Sequence, residues 1–317
     1  MRALIFDGEL RYVTDYPFPK SRDGEALIRV TCAGICNTDR EIIKGYMDFR
    51  GVLGHEFAGV VEECGRGDMI GRPVVGEINI GCGTCSFCRS GMRRHCPARS
   101  VLGIAGRDGV FAEYTALPLV NLHVIPDTVS PIDAVFVEPV AAAYEIMEQV
   151  SITPMTRVCV LGDGKLGLLA AQAIARTGCH ITASGRHREK LSILEDAGID
   201  TRINPEFRER EFDVVVDCTG SPDGIRTALQ AVKPAGTIVL KTTVASPCQI
   251  DLNQIVIDEI SLIGSRCGPF DTAIRALEAG EINTERLVSG VYPLEDGLMA
   301  FDHAARKDAL KVILKAS

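Results

Sequence analysis

Short alternating segments of apolar and polar residues dominate the first 125 positions. Residues 25–34, 56–65 and 109–117 each alternate in the way expected of a strand with one buried face. Glycine and proline lie densely between these segments, which is typical of an irregular, β-rich domain. The first part of the chain is therefore expected to be a small domain of short strands.

A different pattern begins near residue 130. Residues 131–150 predict a helix that starts at Pro131 and is interrupted at Pro139. Continuous apolar runs then alternate with segments of helical period. The predicted strands are 157–162, 179–184, 212–220, 236–242 and 260–265, and the predicted helices are 165–178, 187–198 and 222–232. This alternation indicates βαβ units and a parallel sheet, and residues 270–317 predict a further helix and a closing strand.

Length and composition are consistent with two globular domains. The chain has 317 residues, of which 46% are apolar, and its net charge is −8. A negative balance disfavours binding to nucleic acid or to an anionic membrane surface. The first residues lack the apolar core of a secretion signal, and no apolar run is long enough to span a membrane. Twelve cysteines without a signal peptide favour a reducing, cytoplasmic location.

Four of the cysteines lie close together in the segment 81–97. Cys82, Cys85, Cys88 and Cys96 have the spacing C-x2-C-x2-C-x7-C. In a reducing compartment such a cluster is more often a metal site than a set of disulfides. Four thiolates complete the tetrahedral shell of zinc and leave no position for a substrate, so we expect a structural zinc site.

A glycine-rich turn follows the first strand of the parallel sheet. Gly162, Gly164 and Gly167 form a G-x-G-x-x-G pattern, with Lys165 and Leu166 inside it, between an apolar strand and an alanine-rich helix. This context is the one that the dinucleotide-binding motif requires, because the backbone and the helix N-terminus must approach a pyrophosphate. The alternative is a plain turn between strand and helix that contains glycine.

The end of the next strand indicates which dinucleotide binds. NAD-binding chains place an acid there, about 20 residues after the glycines. Here the strand ends in Ser184 and Gly185, followed by Arg186, and no acid is present. Ser184 and Arg186 are expected to contact the cofactor, and an arginine can pair with a 2′-phosphate, so NADP(H) is preferred over NAD(H). The alternative is that the arginine belongs to a solvated helix start.

Two later strand ends supply further candidates for cofactor contact. Thr219 and Arg266 each follow a predicted strand of the parallel sheet. The carboxyl ends of parallel strands face the ligand crevice. An ordinary surface position is the alternative for both residues.

The first half of the chain holds a second group of metal-competent residues. These are Cys36, His55, Glu56 and Glu138, which are spread over about 100 positions. Their spacing alone cannot show whether they meet.

Several blocks in a fixed order carry a resemblance to a known family. GICNTD (34–39), LGHEFAGVV (53–61), the four-cysteine segment, VEPVAAA (137–143) and LGDGKLG (161–167) occur in this sequence. Together they resemble the zinc-dependent medium-chain dehydrogenases/reductases, most closely the branch of sorbitol, threonine and glucose dehydrogenases. The resemblance implies a discontinuous, β-rich GroES-like catalytic domain (1–130 and 269–317) and a Rossmann domain with a doubly wound parallel sheet (131–268).

The resemblance also implies roles for individual residues. Cys36 and His55 match ligands of a catalytic zinc, and either Glu56 or Glu138 completes the shell. Thr38 matches the hydroxyl residue that relays the substrate proton.

Two neighbours of these residues match other positions of the family. Asp39 matches a carboxylate that steadies the histidine ligand. Glu41 stands where some alcohol dehydrogenases have a relay histidine, so the outer part of the relay must differ here.

The expected function is an oxidoreductase with two zinc ions per subunit, one catalytic and one structural. It would transfer a hydride between NADP(H) and a small alcohol or polyol, or the matching ketone or aldehyde, and by resemblance it would be a homodimer or homotetramer. One alternative is an inactive family member that binds NADPH as a sensor. A zinc-ribbon module that binds nucleic acid is disfavoured by the acidic charge and by the dinucleotide-binding pattern.

Overall fold

The computed structural model describes residues 1–204, 206–207, 209–243 and 248–316. Its strands are β1 (Ala3–Phe6), β2 (Leu10–Val13), β3 (Glu25–Ile35), β4 (Gly51–Val52), β5 (Glu56–Cys64), β6 (Pro73–Gly76), β7 (Asn79–Ile80), β8 (Ser100–Leu102), β9 (Gly106–Arg107), β10 (Tyr114–Pro118), β11 (Leu122–Val124), β12 (Arg157–Leu161), β13 (His180–Gly185), β14 (Asp200–Ile203), β15 (Phe212–Asp217), β16 (Val232–Leu240), β17 (Ser261–Gly264), β18 (Val288–Pro293) and β19 (Lys311–Lys315).

The α-helices are mostly short and follow the strands. They are α1 (Asn37–Ile43), α2 (Ser86–Arg89), α3 (Pro131–Ala134), α4 (Val137–Gln149), α5 (Lys165–Ala175), α6 (Arg188–Glu195), α7 (Gly224–Ala231), α8 (Leu252–Ile257), α9 (Phe270–Glu278) and α10 (Gly297–Ala304). No helix in the described ranges is long and apolar enough to cross a membrane.

The chain forms two compact units. The first consists of Met1–Glu138 together with the chain from Leu287 onward, and the second is Pro139–Arg286. The domain boundaries expected at residues 131 and 269 stay predictions, since a compact unit and a folding domain need not end at the same residue.

The first unit is built on a mixed sheet in the order β11-β6-β5-β3-β19-β18, with β10 paired to β3. The long strand β3 is the centre of this sheet, and its alternate residues are buried on one face. The antiparallel pairing of β3 with β5 sets Gly34 opposite Glu56, and its pairing with β19 sets Ile35 opposite Val312. These registers position the candidate metal ligands.

The second unit contains a six-stranded parallel sheet in the order β14-β13-β12-β15-β16-β17. This is the doubly wound order in which the strand sequence reverses beside β12, and such folds bind ligands at the carboxyl ends of the strands there. Every pairing in the sheet is parallel. The predicted fold class, a Rossmann sheet plus a β-rich unit, is confirmed.

Two predicted elements differ in detail from the structure. The helical interruption falls between α3 and α4, at residues 135–136, because Pro139 lies in the first turn of α4, where no N–H donor is needed. The predicted strand 109–117 is regular only from Tyr114. Its first part instead runs along the segment before His55: the Phe111 amide donates to the Leu53 carbonyl at 2.9 Å.

Candidate active site and metal centres

Three of the predicted catalytic-zinc donors converge in the first unit. Cys36 follows β3 and precedes α1, whereas His55 and Glu56 stand where the chain enters β5. One ligand atom from each of these three residues lies within 4.8 Å of the other two. Ligands around a tetrahedral zinc lie roughly 3.3–3.8 Å apart, so small side-chain movements adapt this donor set to the ion.

Asp39 joins the two segments that carry these donors. It is fully buried, and its Oδ2 accepts a hydrogen bond from the Cys36 amide at 2.8 Å, while its Oδ1 accepts one from the Gly54 amide at 3.3 Å. The His55 ring nitrogen Nδ1 lies 3.2 Å from Asp39 Oδ1 but forms no hydrogen bond with it. Burial lowers the pKa of His55, yet the charges and contacts of Asp39 and Cys36 hold it well above its usual value. The carboxylate therefore braces both ligand segments electrostatically and through the backbone.

Glu56 forms a buried ion pair that the sequence did not reveal. The ammonium group of Lys311, at the start of β19, donates to Glu56 Oε2, and both side chains are at most 1% exposed. The same ammonium lies 5.6 Å from the centre of the Phe136 ring. A Cβ atom added at Gly34 would lie 2.8 Å from Glu56 Oε2, so this glycine makes room for the pair. The lysine at the start of the apolar run KVILK is the feature of the sequence that could have indicated this ion pair.

The alternative glutamate belongs to the same unit but to a different element. Glu138 is half-buried in the first turn of α4. Within the described part of the chain, the metal-competent group contains Glu56 and not Glu138.

The predicted relay residue stands beside the cysteine. Thr38 is half-buried in the first turn of α1, with its Oγ1 3.8 Å from Cys36 Sγ. Glu41, on the next turn of this helix, instead pairs with Lys44 at 2.9 Å near the surface. The hydroxyl is thus close to the metal donors, whereas the carboxylate is engaged outside them.

The four-cysteine segment folds around its own sulfur atoms. The four Sγ atoms all lie within 4.8 Å of one another, and the Cys85 and Cys96 sulfurs are 3.7 Å apart. Hydrogen bonds from Thr84 and from the Cys85 amide lower the pKa of Cys82 to about 5, whereas burial raises the pKa of Cys88 to about 11. Four converging sulfurs fit a closed, structural zinc site.

The glycine turn of the second unit fits a dinucleotide phosphate. Gly162 has φ +110°, and a Cβ atom there would lie 2.6 Å from the Cys218 carbonyl oxygen, so only glycine suits it. A Cβ atom at Gly167 would collide with the Gly162 carbonyl, whereas Gly164 faces open space. α5 begins directly after Gly164, which leaves its first N–H groups available to an anion.

A carboxylate in this turn was missed by sequence reasoning. Asp163 Oδ2 accepts hydrogen bonds from the backbone amides of Arg186 and His187, both at 2.6 Å, and lies 3.0 Å from His187 Nδ1. The motif assigns no role to the residue between its first two glycines, and a contact over 23 positions cannot be read from spacing. This contact ties the glycine turn to the end of β13.

The other predicted cofactor residues lie at strand ends of the second unit. Ser184 is buried, with its hydroxyl 3.7 Å from Cys159 Sγ, whereas Arg186 is exposed just after β13. Thr219 follows β15, where its hydroxyl donates to Asp217 at 2.7 Å. The Arg266 carbonyl accepts a hydrogen bond from the buried Lys241 ammonium at 3.0 Å.

Two family profiles match most of the chain. The profile of the alcohol dehydrogenase GroES-like domain matches residues 22–127, and that of the zinc-binding dehydrogenases matches residues 166–280. Sorbitol dehydrogenase of Halalkalibacterium halodurans is 28% identical over an alignment of 325 positions, gaps included, that covers 95% of this chain and 94% of that enzyme.

Solved structures share the fold over the whole chain. A zinc-binding dehydrogenase from Sinorhizobium meliloti 1021, bound to NADP, has a TM-score of 0.88 and 27% identity, covering 99% of this chain and 98% of that one. An alcohol dehydrogenase from Escherichia coli CFT073, in complex with NADH, has a TM-score of 0.90 and 26% identity, covering 99% of both chains.

The profile matches to both halves of the chain agree with its sulfur site, its second donor cluster and its glycine turn. The chain therefore belongs to the zinc-containing medium-chain alcohol dehydrogenase family, the zinc-dependent, NAD(P)-dependent alcohol and polyol dehydrogenases.

Proposed function

We propose that the protein interconverts a hydroxyl group of a small polyol and the matching ketone or aldehyde, with NADP(H) preferred over NAD(H). The observation that carries the proposal is the meeting of half-buried Cys36 with buried His55 and Glu56 beside the Thr38 hydroxyl. The polyol class is supported by relatives such as the sorbitol dehydrogenase of H. halodurans.

Cys36, His55 and Glu56 would hold the catalytic zinc. Lys311 binds one oxygen of Glu56, which leaves the other available to the metal and offsets the negative charge of the donor set. When bound, zinc would supply the positive charge that lowers the pKa of a substrate hydroxyl, and NADP⁺ would supply the hydride acceptor. Glu56 rather than Glu138 is proposed as the third ligand, because it belongs to the converging group.

The chain's own residues handle the proton. Thr38 stands next to Cys36, where its hydroxyl can accept the proton that leaves the substrate oxygen and donate its own toward water. Asp39 holds the Cys36 and Gly54 amides and so fixes the geometry of the donors during the cycle.

The NADP(H) preference is supported by the end of β13. Gly185 occupies the position at which NAD-binding chains carry an acid, and the exposed Arg186 follows it. An exposed guanidinium can form paired hydrogen bonds with a phosphate.

We also propose that a second copy of the chain covers the outer edge of the parallel sheet. β17 is the terminal strand of this sheet, and its backbone edge can pair with the same strand of another subunit about a two-fold axis. The neighbouring helix α8 exposes Leu252, Val256 and Ile257 by 64–77%, which is apolar surface that a partner would bury.

The function is tested on zinc-loaded protein with a panel of polyols, simple alcohols and the matching carbonyl compounds. We expect turnover of a polyol, and kcat/KM at least about tenfold higher with the phosphorylated cofactor, since one charge-assisted contact contributes roughly 1.5–3 kcal/mol. Arg186→Ala should remove this preference and leave NADH kinetics unchanged. Inactivity over the whole panel, with both zinc sites filled and NADPH bound, would favour the sensor instead.

A further inference from the structure

Asp163 occupies the space at the end of β13 from which a ribose-binding acid would project. A Cβ atom added at Gly185 would lie 2.5 Å from both Asp163 Cβ and Asp163 Oδ2. A side chain at position 185 and the observed position of Asp163 therefore exclude each other. The acid that is absent from the strand end in the sequence is present there in space, supplied by the glycine turn.

The carboxylate is arranged to remain charged and to accept one more hydrogen bond. Three donors, two from backbone amides and one from the His187 ring, all meet Oδ2. Among the residues that the structure describes, no donor is bound to Oδ1. Burial alone would raise the pKa of Asp163, but the hydrogen bonds from His187 and Arg186 lower it below its ordinary value. The group is consequently an anion at neutral pH with one acceptor oxygen available.

We propose that Asp163 is the ribose-hydroxyl acceptor of this chain and a determinant of its cofactor selectivity. This proposal rests on the proposed binding of NADP(H) and NAD(H) at this turn. It adds Asp163 to Arg186 as a second residue that determines which cofactor is preferred. Arg186 favours a 2′-phosphate, whereas Asp163 favours a free ribose hydroxyl and repels a phosphate. The same site then accepts both dinucleotides, and the balance between these two opposite charges sets the ratio of their affinities.

The decisive variant is Asp163→Asn. The amide oxygen of asparagine can still accept the two backbone hydrogen bonds, so the turn is kept while the charge is removed. A hydrogen bond to a charged acceptor contributes about 1 kcal/mol more than one to a neutral acceptor, which corresponds to roughly fivefold in affinity. NADH should therefore bind about fivefold more weakly, and NADPH more tightly than in the parent protein.

Dissociation constants are measured by fluorescence titration of zinc-loaded protein with each reduced cofactor, without substrate. Glu189→Gln, which removes an exposed carboxylate from the nearby start of α6, is the matched control and should change neither constant. The double variant Asp163→Gly, Gly185→Asp removes the Cβ atom that a side chain at position 185 would meet and returns the acid to the strand end. It should recover NADH binding, whereas Asp163→Gly alone should not.

The outcomes separate this proposal from the one on which it rests. A parent protein that prefers NADH would overturn the NADP(H) preference, but a shift of the ratio in Asp163→Asn would still support Asp163 as the determinant. An unchanged ratio in a variant with unchanged melting temperature would refute the role of Asp163. An equal loss of affinity for both cofactors would also refute it, because Asp163 would then act only by holding the turn in place.

Discussion

Lys311 and Glu56 form a fully buried ion pair that joins the last strand of the chain to the candidate zinc donors. The two residues are 255 positions apart, and they meet because β3 pairs with both β5 and β19. A buried charge whose partner is removed is costly, since neither water nor another group replaces it.

Lys311→Met should therefore lower the free energy of unfolding by about 3–5 kcal/mol and weaken zinc retention. Urea unfolding and the zinc content of the purified protein are the measurements. Lys315→Met, on the same strand but exposed, is the control and should change stability by less than about 0.5 kcal/mol. A Lys311→Met protein as stable as this control would show that the pair does not stabilise the fold.

The two metal centres should respond differently to loss of a thiolate. Cys85→Ser should lower the melting temperature and the zinc content, because the four-sulfur segment depends on its ion for folding. Cys36→Ser should lower kcat by at least about 10³-fold, which is within the range that metal catalysis provides, while the fold stays intact. Loss of turnover without loss of stability in Cys85→Ser would contradict this division.

The hydroxyl of Thr38 should contribute to turnover rather than to cofactor affinity. Thr38→Val keeps the shape but cannot move a proton, so kcat should fall by about 10²–10⁴-fold with unchanged cofactor binding. Thr38→Ser keeps the hydroxyl and should retain most of the activity. Steady-state kinetics together with cofactor titration distinguish these outcomes, and equal activity of Val and Ser variants would exclude the relay.

The outer edge of the parallel sheet should hold subunits together. Val256→Asp places a charge on the exposed apolar surface of α8 and should shift the protein toward the monomer in light scattering. Met155→Asp changes another highly exposed apolar residue of the same unit and is the control. An assembly state unaffected by Val256→Asp would show that copies associate elsewhere or not at all.

Alkaline pH should destabilise the fold partly through Tyr144. Burial, assisted by the nearby Glu281 carboxylate, raises the pKa of this phenol from 10 to about 12. Between these pH values the unfolded chain releases the proton and the folded chain keeps it, so stability is full below pH 10 and falls as the pH rises toward 12. Tyr144→Phe should flatten this decline in thermal unfolding, and an unchanged slope would contradict the assignment.

Patterns among residues that lie close along the chain were enough to predict the fold class, the glycine turn and the four-cysteine cluster. The alternation of apolar runs and helices, the glycine turn and the four nearby cysteines each depend on residues close along the chain, so their patterns are visible without coordinates. The convergence of Cys36 with His55 could be expected only by resemblance, because 19 positions separate them and spacing carries no geometry.

Only the tertiary structure shows which side chains that are distant along the chain meet in space. Glu56 rather than Glu138 joins the donor group because the pairing of β3 and β5 places it there, and Lys311 reaches it through the pairing of β19. In the same way, Asp163 fills the strand end at Gly185, although the sequence at that point contains no acid. Strand register and the close approach of turns bring distant side chains together, and neither is encoded in local patterns of polarity.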